Sequence, residues 1–434
     1  MTATREPEIT PLRKNRDFLL LWSGSAVSVL GSTASTVAYP LLVLATTGSA
    51  ADAGVVGFVA LLPMLLLQIP ASALVDRWDR RTVMIWCDAI RAAALTTIVL
   101  ALAVNRLYLP HILVVGFVEG TVSVTHELAA GAAVPHVVHK SQVSAALSRN
   151  EARERGATML GTPLGGILFG LGRAVPFVLD ALTYVVSLVT LLFIRRDFQT
   201  GKPEHEERHV LDGIRWLWRN EFLRTATFLI AGSNLLFRAM FLIVVVMAGD
   251  LGASPAWIGV LFGVAGGAGL LGSLAADRCR RRFDLATIVI GANWLWAVLM
   301  VVIVATGNVY ALGAAYAGMW FVGPLWNVAV TSHQLEITPD HLQGRVLGAV
   351  GVLAFGAVPL GSLIGGYTLD RLGSDAAALV FTGWMVLLAT AATLSRSVRQ
   401  TRRHNRVPHD AQVQDPPGDG DPGRPALRGV ADDR

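Results

Sequence analysis

The sequence predicts an all-α integral membrane protein with about twelve transmembrane helices in two pseudo-symmetric six-helix bundles. Three observations support this fold class. Only 15% of the 434 residues are charged and 53% are hydrophobic, whereas a soluble domain carries about 25% charged residues. Many apolar runs are longer than the roughly 18 residues that indicate a membrane span. A polar interval, residues 195–224, separates these runs into two groups.

The predicted spans follow one another through the chain. In the first half they lie at about 17–45, 53–75, 83–104, 110–133, 150–171 and 175–194. In the second half they lie at about 225–248, 255–276, 285–305, 309–332, 345–369 and 375–395. As helices, these segments satisfy their own backbone hydrogen bonds, which hydrocarbon requires.

The segments outside the spans complete the predicted organisation. A cytoplasmic N-terminus (1–16) precedes the N-terminal bundle (17–194), and the C-terminal bundle covers 225–396. In the linker (195–224), the stretch VLDGIRWLWRNEFLR places apolar residues at helical spacing with arginines opposite. That pattern predicts an amphipathic helix on the membrane surface. The tail (397–434) is rich in proline, aspartate, glycine and arginine, which predicts disorder.

Basic residues are concentrated in one set of loops. If the N-terminus is cytoplasmic, the opposite loops hold only Arg106, Arg173 and Arg371. This asymmetry predicts a multi-pass protein of the cell membrane with both termini in the cytoplasm. It also accounts for the net charge of +5, so a nucleic-acid partner is not expected. The expected partners are the lipid bilayer, a small-molecule substrate and protons, and the protein is expected to be a monomer.

The sequence lacks the common signatures of enzymes and ATP-driven pumps. No G-x-x-x-x-G-K-[ST], H-E-x-x-H or G-x-S-x-G motif occurs. The two cysteines, Cys87 and Cys279, lie near predicted cytoplasmic helix ends and are expected to be reduced thiols. We therefore expect no enzymatic activity, no metal and no cofactor, with an ion gradient as the source of energy.

A charged loop recurs in the two halves. Residues 72–81 read SALVDRWDRR and residues 273–282 read SLAADRCRRR. A Pro-Leu-Gly phrase also recurs, at 163–165 and at 359–361. Two parallel repeats with a binding site at their interface, near the middle of the membrane, are a common layout of secondary transporters.

These features resemble the major facilitator superfamily over the chain from Leu12 to Arg396. SALVDRWDRR is similar to the loop signature G-x-L-A-D-R-x-G-R-R, with Ser72 and Asp79 at the two glycine positions. The phrases LRKNRDFLLLWSGSAVSVLGS and RNEARERGATMLGTPLGGILF resemble one branch of drug:proton antiporters. That branch holds the macrolide-efflux and enterobactin-exporter-like permeases.

The fifth span resembles the antiporter signature G-x-x-x-G-P-x-x-G-G. Gly161, Gly165 and Gly166 keep its spacing, whereas Thr162 takes the usual proline position and Pro163 follows. A small-x-x-x-small pattern favours close helix packing. The alternative is a hinge, since a proline lies among the glycines.

The resemblance implies that the charged loops form gates. In similar transporters the loop aspartate lies against the start of the eleventh helix and locks the two halves together on the cytoplasmic side. The alternative is a basic anchor that only orients the protein. By this resemblance the predicted gating residues are Asp76, Arg77, Arg80, Arg81 and Arg345 at one lock, and Asp277, Arg278 and Arg153 at its repeat. Arg149 also lies near the second lock.

Charged residues inside the spans are candidates for substrate and proton coupling, because a charge within a membrane is costly. Glu119 lies in the fourth span and Arg238 near the middle of the seventh. They lie in opposite halves, so one central cavity can contain both. Burial disfavours an ionised carboxyl and a nearby arginine favours it, so a substrate can be exchanged against a proton. The alternative for each residue is a structural pair with a neighbouring helix.

Other polar residues within the spans are weaker candidates. Asp88 and Arg91 are spaced i, i+3 and can pair with each other. Asp180 lies near the outer end of the sixth span and is expected to be hydrated, and His126 is expected to be a satisfied interior residue. Tryptophans more often contact lipid or the interface than a substrate, so none is assigned to the site: Trp294, Trp296, Trp320 and Trp326.

These patterns predict a secondary active transporter that works by alternating access. The favoured function is proton-coupled efflux of a small amphipathic compound, such as a drug, an antibiotic, a siderophore or another secondary metabolite. The alternative within transport is an importer or a lysophospholipid-type flippase of the same fold. The alternative from another class is a non-transporting membrane sensor, which would need neither the charges within the spans nor the paired loops.

Overall fold

The structure is a computed structural model that describes residues 10–194, residue 198 and residues 210–404. Twelve long helices occur within these ranges, and each contains between 18 and 32 residues. The first half contains α1 (Arg16–Thr47), α2 (Ala50–Arg77), α3 (Arg80–Ala103), α4 (Leu109–Val137), α5 (Val143–Leu171) and α6 (Val175–Leu192). The second half contains α7 (Glu221–Asp250), α8 (Pro255–Arg282), α9 (Leu285–Ala305), α10 (Val309–Ile337), α11 (Gln343–Leu372) and α12 (Ser374–Leu394).

Composition and length together identify the membrane-crossing elements. Within the described residues, ten helices are long and apolar enough to cross a membrane. The other two long helices, α5 and α10, have 29 residues each and are not among these ten. All twelve therefore have the length that a span requires.

The packing of the helices repeats between the two halves. In the first half α1 packs on α5 and α6, α2 packs on α4, and α3 packs on α4 and α6. In the second half α7 packs on α11 and α12, α8 packs on α10, and α9 packs on α10 and α12. Each contact in one half has its counterpart in the other, which confirms the predicted fold of two pseudo-symmetric six-helix bundles.

The two halves meet along two helix pairs, α2 with α11 and α5 with α8. We call the face at which α1 begins and α12 ends the terminal face, and the opposite face the distal face. Near the distal face the pairs are in backbone contact, because a Cβ atom at Gly54 would lie 2.8 Å from the Cα atom of Gly366. At the equivalent point, a Cβ atom at Gly259 would lie 2.9 Å from the Cα atom of Gly166. The distal face is therefore closed between the halves.

The glycines of α5 lie at close helix contacts. A Cβ atom at Gly161 would lie 2.8 Å from the carbonyl oxygen of Leu30, and one at Gly165 would lie 2.2 Å from that of Ala34. Gly166 faces the other way, toward α8. This helix thus contacts α1 in its own half and α8 in the other half through its smallest residues, as small-residue membrane interfaces do.

A short linker helix, Val210–Arg219, joins the halves. It packs against the start of α11, since a Cβ atom at Gly213 would lie 2.3 Å from the carbonyl oxygen of Arg345. Leu217 is buried whereas Trp218 is 47% exposed, so the helix has one packed side and one open side. Most of the preceding linker lies outside the described residues.

The start of the tail differs from the predicted disorder. Arg396–His404 form a helix, which begins where the Ser395 hydroxyl accepts a hydrogen bond from the backbone N–H of Val398 at 3.4 Å. Val398 is fully buried, and the Ser397 hydroxyl donates to Thr225 of α7 at 3.3 Å. These contacts supply the ordering energy that composition alone does not reveal. The predicted disorder of the rest of the tail falls on residues 405–434, outside the described residues.

Candidate functional site

A cavity of about 280 Å³ lies between the two halves. Helices α1, α2, α4 and α6 form its first-half wall, and α7 and α11 form its second-half wall. Glu119 and Arg238 both line it. The two charged residues that sequence reasoning assigned to opposite halves thus share one chamber, which we call the central cavity.

Glu119 is held in the central cavity by two tyrosines. The Tyr39 hydroxyl donates to Oε2 at 2.6 Å, and the Tyr184 hydroxyl donates to Oε1 at 3.1 Å. Gly120 allows this part of α4 to approach α2, since a Cβ atom there would lie 2.1 Å from the carbonyl oxygen of Ala60. Both hydrogen bonds come from uncharged phenols, so a change in the charge of Glu119 leaves neither of these partners as a buried unpaired ion.

Arg238 reaches the cavity from α7. Its Nε atom donates to the Ser362 hydroxyl of α11 at 2.8 Å, and its guanidinium carbon lies 5.1 Å from the centre of the Phe241 ring. A Cβ atom at Gly57 of α2 would lie 3.5 Å from Nη2 of this arginine. The guanidinium therefore extends across the interface to the first half, where it gives the cavity a fixed positive charge opposite an acidic wall.

Asp88 and Arg91 form part of a buried cluster behind the cavity. Nη1 of Arg91 lies 3.9 Å from Oδ1 of Asp88, so the two residues do face each other along α3. Nε2 of His126 lies 3.4 Å from the same oxygen. Arg91 also donates to the Ser123 hydroxyl and lies over the Tyr184 ring, with its guanidinium carbon 5.0 Å from the ring centre. Tyr184 thus connects this cluster to Glu119.

The predicted hydration of Asp180 is wrong. Its side chain is fully buried in α6 and accepts a hydrogen bond from the Thr183 hydroxyl at 3.3 Å. The close approach of α1 explains the burial, because a Cβ atom at Gly31 would lie 2.7 Å from Oδ1. A position near the end of the sixth span did not imply exposure to water, because α1 and α6 remain packed together at that end.

The arginines of the first charged loop contact carbonyl groups of their own half. Nη1 of Arg80 donates to the carbonyl oxygens of Ala132 at 3.2 Å and Phe198 at 3.1 Å. Arg81 donates to the carbonyl oxygens of Leu191 at 2.9 Å and Leu192 at 2.8 Å. Backbone carbonyls near the C-terminal ends of helices carry partial negative charge, which attracts a guanidinium. In this conformation these arginines therefore hold the ends of α4 and α6.

The second charged loop is paired within its own helix. Oδ2 of Asp277 accepts from Arg281 at 2.6 Å, and Oδ1 lies 3.7 Å from Arg280. Arg153 is paired with Glu154 at 2.6 Å. The expected contact between Asp277 and the arginines of α5 is thus replaced in this conformation by pairs at i+3 and i+4, which neighbouring turns of one helix bring together.

The remaining gating candidates lie at the terminal face. Arg77 and Arg278 are exposed to solvent. Asp76 lies in the last turn of α2 and Arg345 in the first turn of α11, and both are half-buried. Asp76 and Arg345 therefore lie on two helices, α2 and α11, that pack against each other.

Sequence reasoning missed the two tyrosines that hold Glu119. Tyr39 packs edge-on against Phe177, with ring centres 5.1 Å apart, and Tyr184 is fully buried. Neutral aromatic residues are common in membrane helices, so their presence carries no signal by itself. Asp180 differs from these tyrosines, because an acid within a span can be recognised as a candidate from the sequence.

Comparison with known families gives one match over nearly the whole chain. A family model described as "Transmembrane secretion effector" matches residues 7–419. Among individual proteins, the chain is similar to the multidrug efflux pump Tap of Mycobacterium tuberculosis. The two are 27% identical over 383 residues, which is 83% of this chain and 88% of the pump.

A second relative and a solved structure agree with this match. Macrolide efflux protein A of Streptococcus pyogenes is 20% identical over 394 residues, which is 88% of this chain and 96% of that protein. The crystal structure of the nucleoside transporter NupG superimposes with a TM-score of 0.72 at 12% identity, covering 87% of this chain and 98% of that one. At that identity the structural likeness concerns the fold alone.

Proposed function

Since the chain belongs to the transmembrane secretion effector family of the major facilitator superfamily, we propose that it exports a small amphipathic compound in exchange for protons. The family and the named relatives are transporters rather than enzymes, and the protein is a multi-pass membrane transporter. The exported compound belongs to the class of drugs, antibiotics, siderophores or other secondary metabolites. One relative is named for multidrug efflux and another for macrolide efflux, which supports the direction and the class.

The single observation that carries the proton coupling is the setting of Glu119. It lies in a cavity between the two halves, and its two oxygens accept hydrogen bonds from Tyr39 and Tyr184. The phenols can support the carboxylate, and a phenol oxygen can accept a hydrogen bond from the protonated acid. A substrate that binds beside the ionised carboxyl would compete with the proton, and such competition is what exchange of the two requires.

The direction of access follows from the orientation. The arginine asymmetry supports a cytoplasmic terminal face. With that orientation, the glycine contacts at Gly54 and Gly259 close the outer side. In this state we expect the central cavity to release its proton to the cytoplasm and to take up substrate from it. Opening of the distal face would then expose the same cavity to the outside.

Inverted membrane vesicles provide the test. Respiration makes their interior acidic, and compounds from a panel of macrolides, tetracyclines and siderophores are added while an acridine dye reports the internal acidity. A transported compound is expected to release protons from the vesicles and to dissipate part of the gradient. Glu119→Gln is expected to abolish this signal because it removes the exchangeable proton.

The matched control is Asp375→Asn. Asp375 is an exposed acid in the first turn of α12 and lies outside the lining of the central cavity, so its replacement should leave the signal intact. Substrate movement that is unaffected by the proton gradient would contradict the exchange. Movement in the opposite direction would favour an importer, movement of lysophospholipid between leaflets would favour a flippase, and no movement of any compound would favour the sensor.

A further inference from the structure

A second, larger cavity lies on the other side of the interface between the halves. Its volume is about 410 Å³, and it is enclosed by α5 of the first half together with α7, α8, α9 and α10 of the second. Much of its wall is aromatic or sulfur-containing: Met159, Phe237, Trp296, Met319, Trp320 and Trp326. We call it the aromatic chamber. Its volume falls within the range of small-molecule sites.

The aromatic chamber is the pseudo-symmetric counterpart of the central cavity. Helices α4 and α10 each contain 29 residues, and each is followed at the same spacing by a three-residue 3₁₀ helix. Aligning the two helices from their starts, Leu109 and Val309, places Met319 at the position of Glu119. The same alignment places Trp326 at the position of His126. The second half thus has apolar side chains where the first half has ionisable ones.

One hydrogen-bond donor in the chamber wall lacks a partner. The indole N–H of Trp296 donates to the carbonyl oxygen of Met319 at 2.9 Å. The indole nitrogen of Trp326 is buried and has no hydrogen-bond partner among the described residues, and the residue is only 3% exposed. A buried donor is normally satisfied, so this one points to an acceptor supplied by a ligand.

The charges at the mouth of the chamber are already paired. Glu154 and Arg155 are the charged residues in its lining. Glu154 pairs with Arg153 at 2.6 Å, and Arg155 pairs with Glu151 at 2.7 Å, in both cases within α5. A charged group entering the chamber would therefore lose hydration without gaining an unpaired partner, so the wall selects an uncharged group.

We propose that the aromatic chamber binds an uncharged aromatic ring system of the exported compound, and that Trp326 donates a hydrogen bond to an oxygen acceptor on it. This assignment rests on the proposed export function and names the substrate class for it. The central cavity and the aromatic chamber then have different roles. The first-half residues around Glu119 handle the proton, and the tryptophans of the second half stack against the apolar body of the substrate.

Equilibrium binding of two matched probes tests the assignment. Triphenylphosphine oxide is neutral and aromatic and carries an oxygen acceptor, whereas triphenylmethane lacks the acceptor. Binding of each tritiated probe to the full chain in nanodiscs is measured against empty nanodiscs. Trp326→Phe keeps a ring but removes the donor, so it should weaken binding of the oxide about five- to tenfold, the worth of one hydrogen bond. Binding of triphenylmethane should change less than about twofold.

A second variant tests the chamber without touching the hydrogen bond. Gly323 lines the chamber, and a Cβ atom there would meet open space. Gly323→Leu should therefore fill the chamber and reduce binding of both probes about tenfold or more. The controls are Trp294→Phe, at a tryptophan that donates to Thr393 outside the chamber, and Gly267→Leu, at a glycine of α8 that is outside the lining and also faces open space.

The outcomes separate the chamber from the export function. No saturable binding of either probe, or full binding in both Gly323→Leu and Trp326→Phe, would overturn the assignment. Equal losses in the control variants would also overturn it, because the effect would then be general. Since binding is measured without a gradient, a failed vesicle assay with chamber-dependent probe binding would refute proton exchange and leave the chamber assignment in place.

Discussion

At the level of single residues, the proposed proton coupling depends on how Glu119 is held. An acid within a membrane span identifies itself in a sequence because its charge is costly there, and Arg238 is found in the same way. The phenols of Tyr39 and Tyr184 that bind the carboxyl are invisible to that reasoning, because only the packing of α1 and α6 against α4 brings them to it. The sequence therefore identifies the charged groups of the site but not the neutral groups that control them.

Removing the shorter of the two hydrogen bonds should weaken export. Tyr39→Phe deletes the donor 2.6 Å from Oε2 of Glu119, and we expect the export rate to fall about three- to tenfold. In the double variant with Glu119→Asp, which keeps an acid at this position, the two losses should not multiply, because both changes act on one interaction. Export rates from loaded cells measure this, and multiplicative losses would show that Tyr39 acts independently of Glu119.

The hydrogen bonds of Arg81 in the first loop should contribute to the stability of the folded protein. Arg81 donates to two carbonyl oxygens at the end of α6, so Arg81→Ala should destabilise the protein by about 1 kcal/mol or more. Arg77 is exposed on the same loop, and Arg77→Ala should have a smaller effect. Thermal unfolding of the purified variants measures the difference, and equal melting temperatures would contradict the contacts described for Arg81.

At the scale of elements, the sequence predicts where helices lie better than where they end. The predicted fourth span stops near residue 133 and the fifth begins near 150, whereas α4 continues to Val137 and α5 begins at Val143. Apolar content marks the part within hydrocarbon, while polar turns continue the same helices toward the terminal face. The helix Arg396–His404 was missed because its stability comes from contacts with α7 and α9.

The glycine contacts between α2 and α11 predict how the distal face responds to added volume. Gly54→Val should force the two helices apart, because even a Cβ atom at Gly54 would lie 2.6 Å from the carbonyl oxygen of Ser362. Spin labels at Arg106→Cys and Gly307→Cys, in distal loops of the two halves, should report longer distances. Both native cysteines, Cys87 and Cys279, are replaced first.

The control for this measurement is Gly291→Val. A Cβ atom at Gly291 of α9 would meet open space, so the label distances should not change. If Gly54→Val and Gly291→Val give the same distance distribution, the backbone contact at Gly54 does not keep the distal face closed.

At the scale of the whole molecule, the two halves share one fold but differ in chemistry. Their helix contacts correspond pair by pair, which the repeated loops of the sequence anticipate. The sequence predicts a central cavity that contains both Glu119 and Arg238, and the structure has it between the halves. The aromatic chamber on the other side of the interface was not predicted. Tryptophans have several common roles in membranes, and only the folded structure shows that three of them line a shared cavity.

The gate predicted at the first loop concerns both halves of the molecule. Asp76→Asn should leave the protein in the membrane at normal abundance and reduce export about tenfold, because the carboxylate is expected to hold the halves together when the terminal face closes. Export rate and membrane abundance are measured together. Normal export by this variant would contradict the gate and would favour a loop that only orients the protein in the membrane.

Glu119 is proposed to exchange a proton for the exported compound, and a measurement of proton release tests this exchange. A compound identified in the vesicle assay is added to the purified protein in a weakly buffered solution, and the pH is recorded. Binding should release protons from the parent protein and none from Glu119→Gln. Binding of the compound without proton release by the parent protein, or equal release by both proteins, would contradict the exchange.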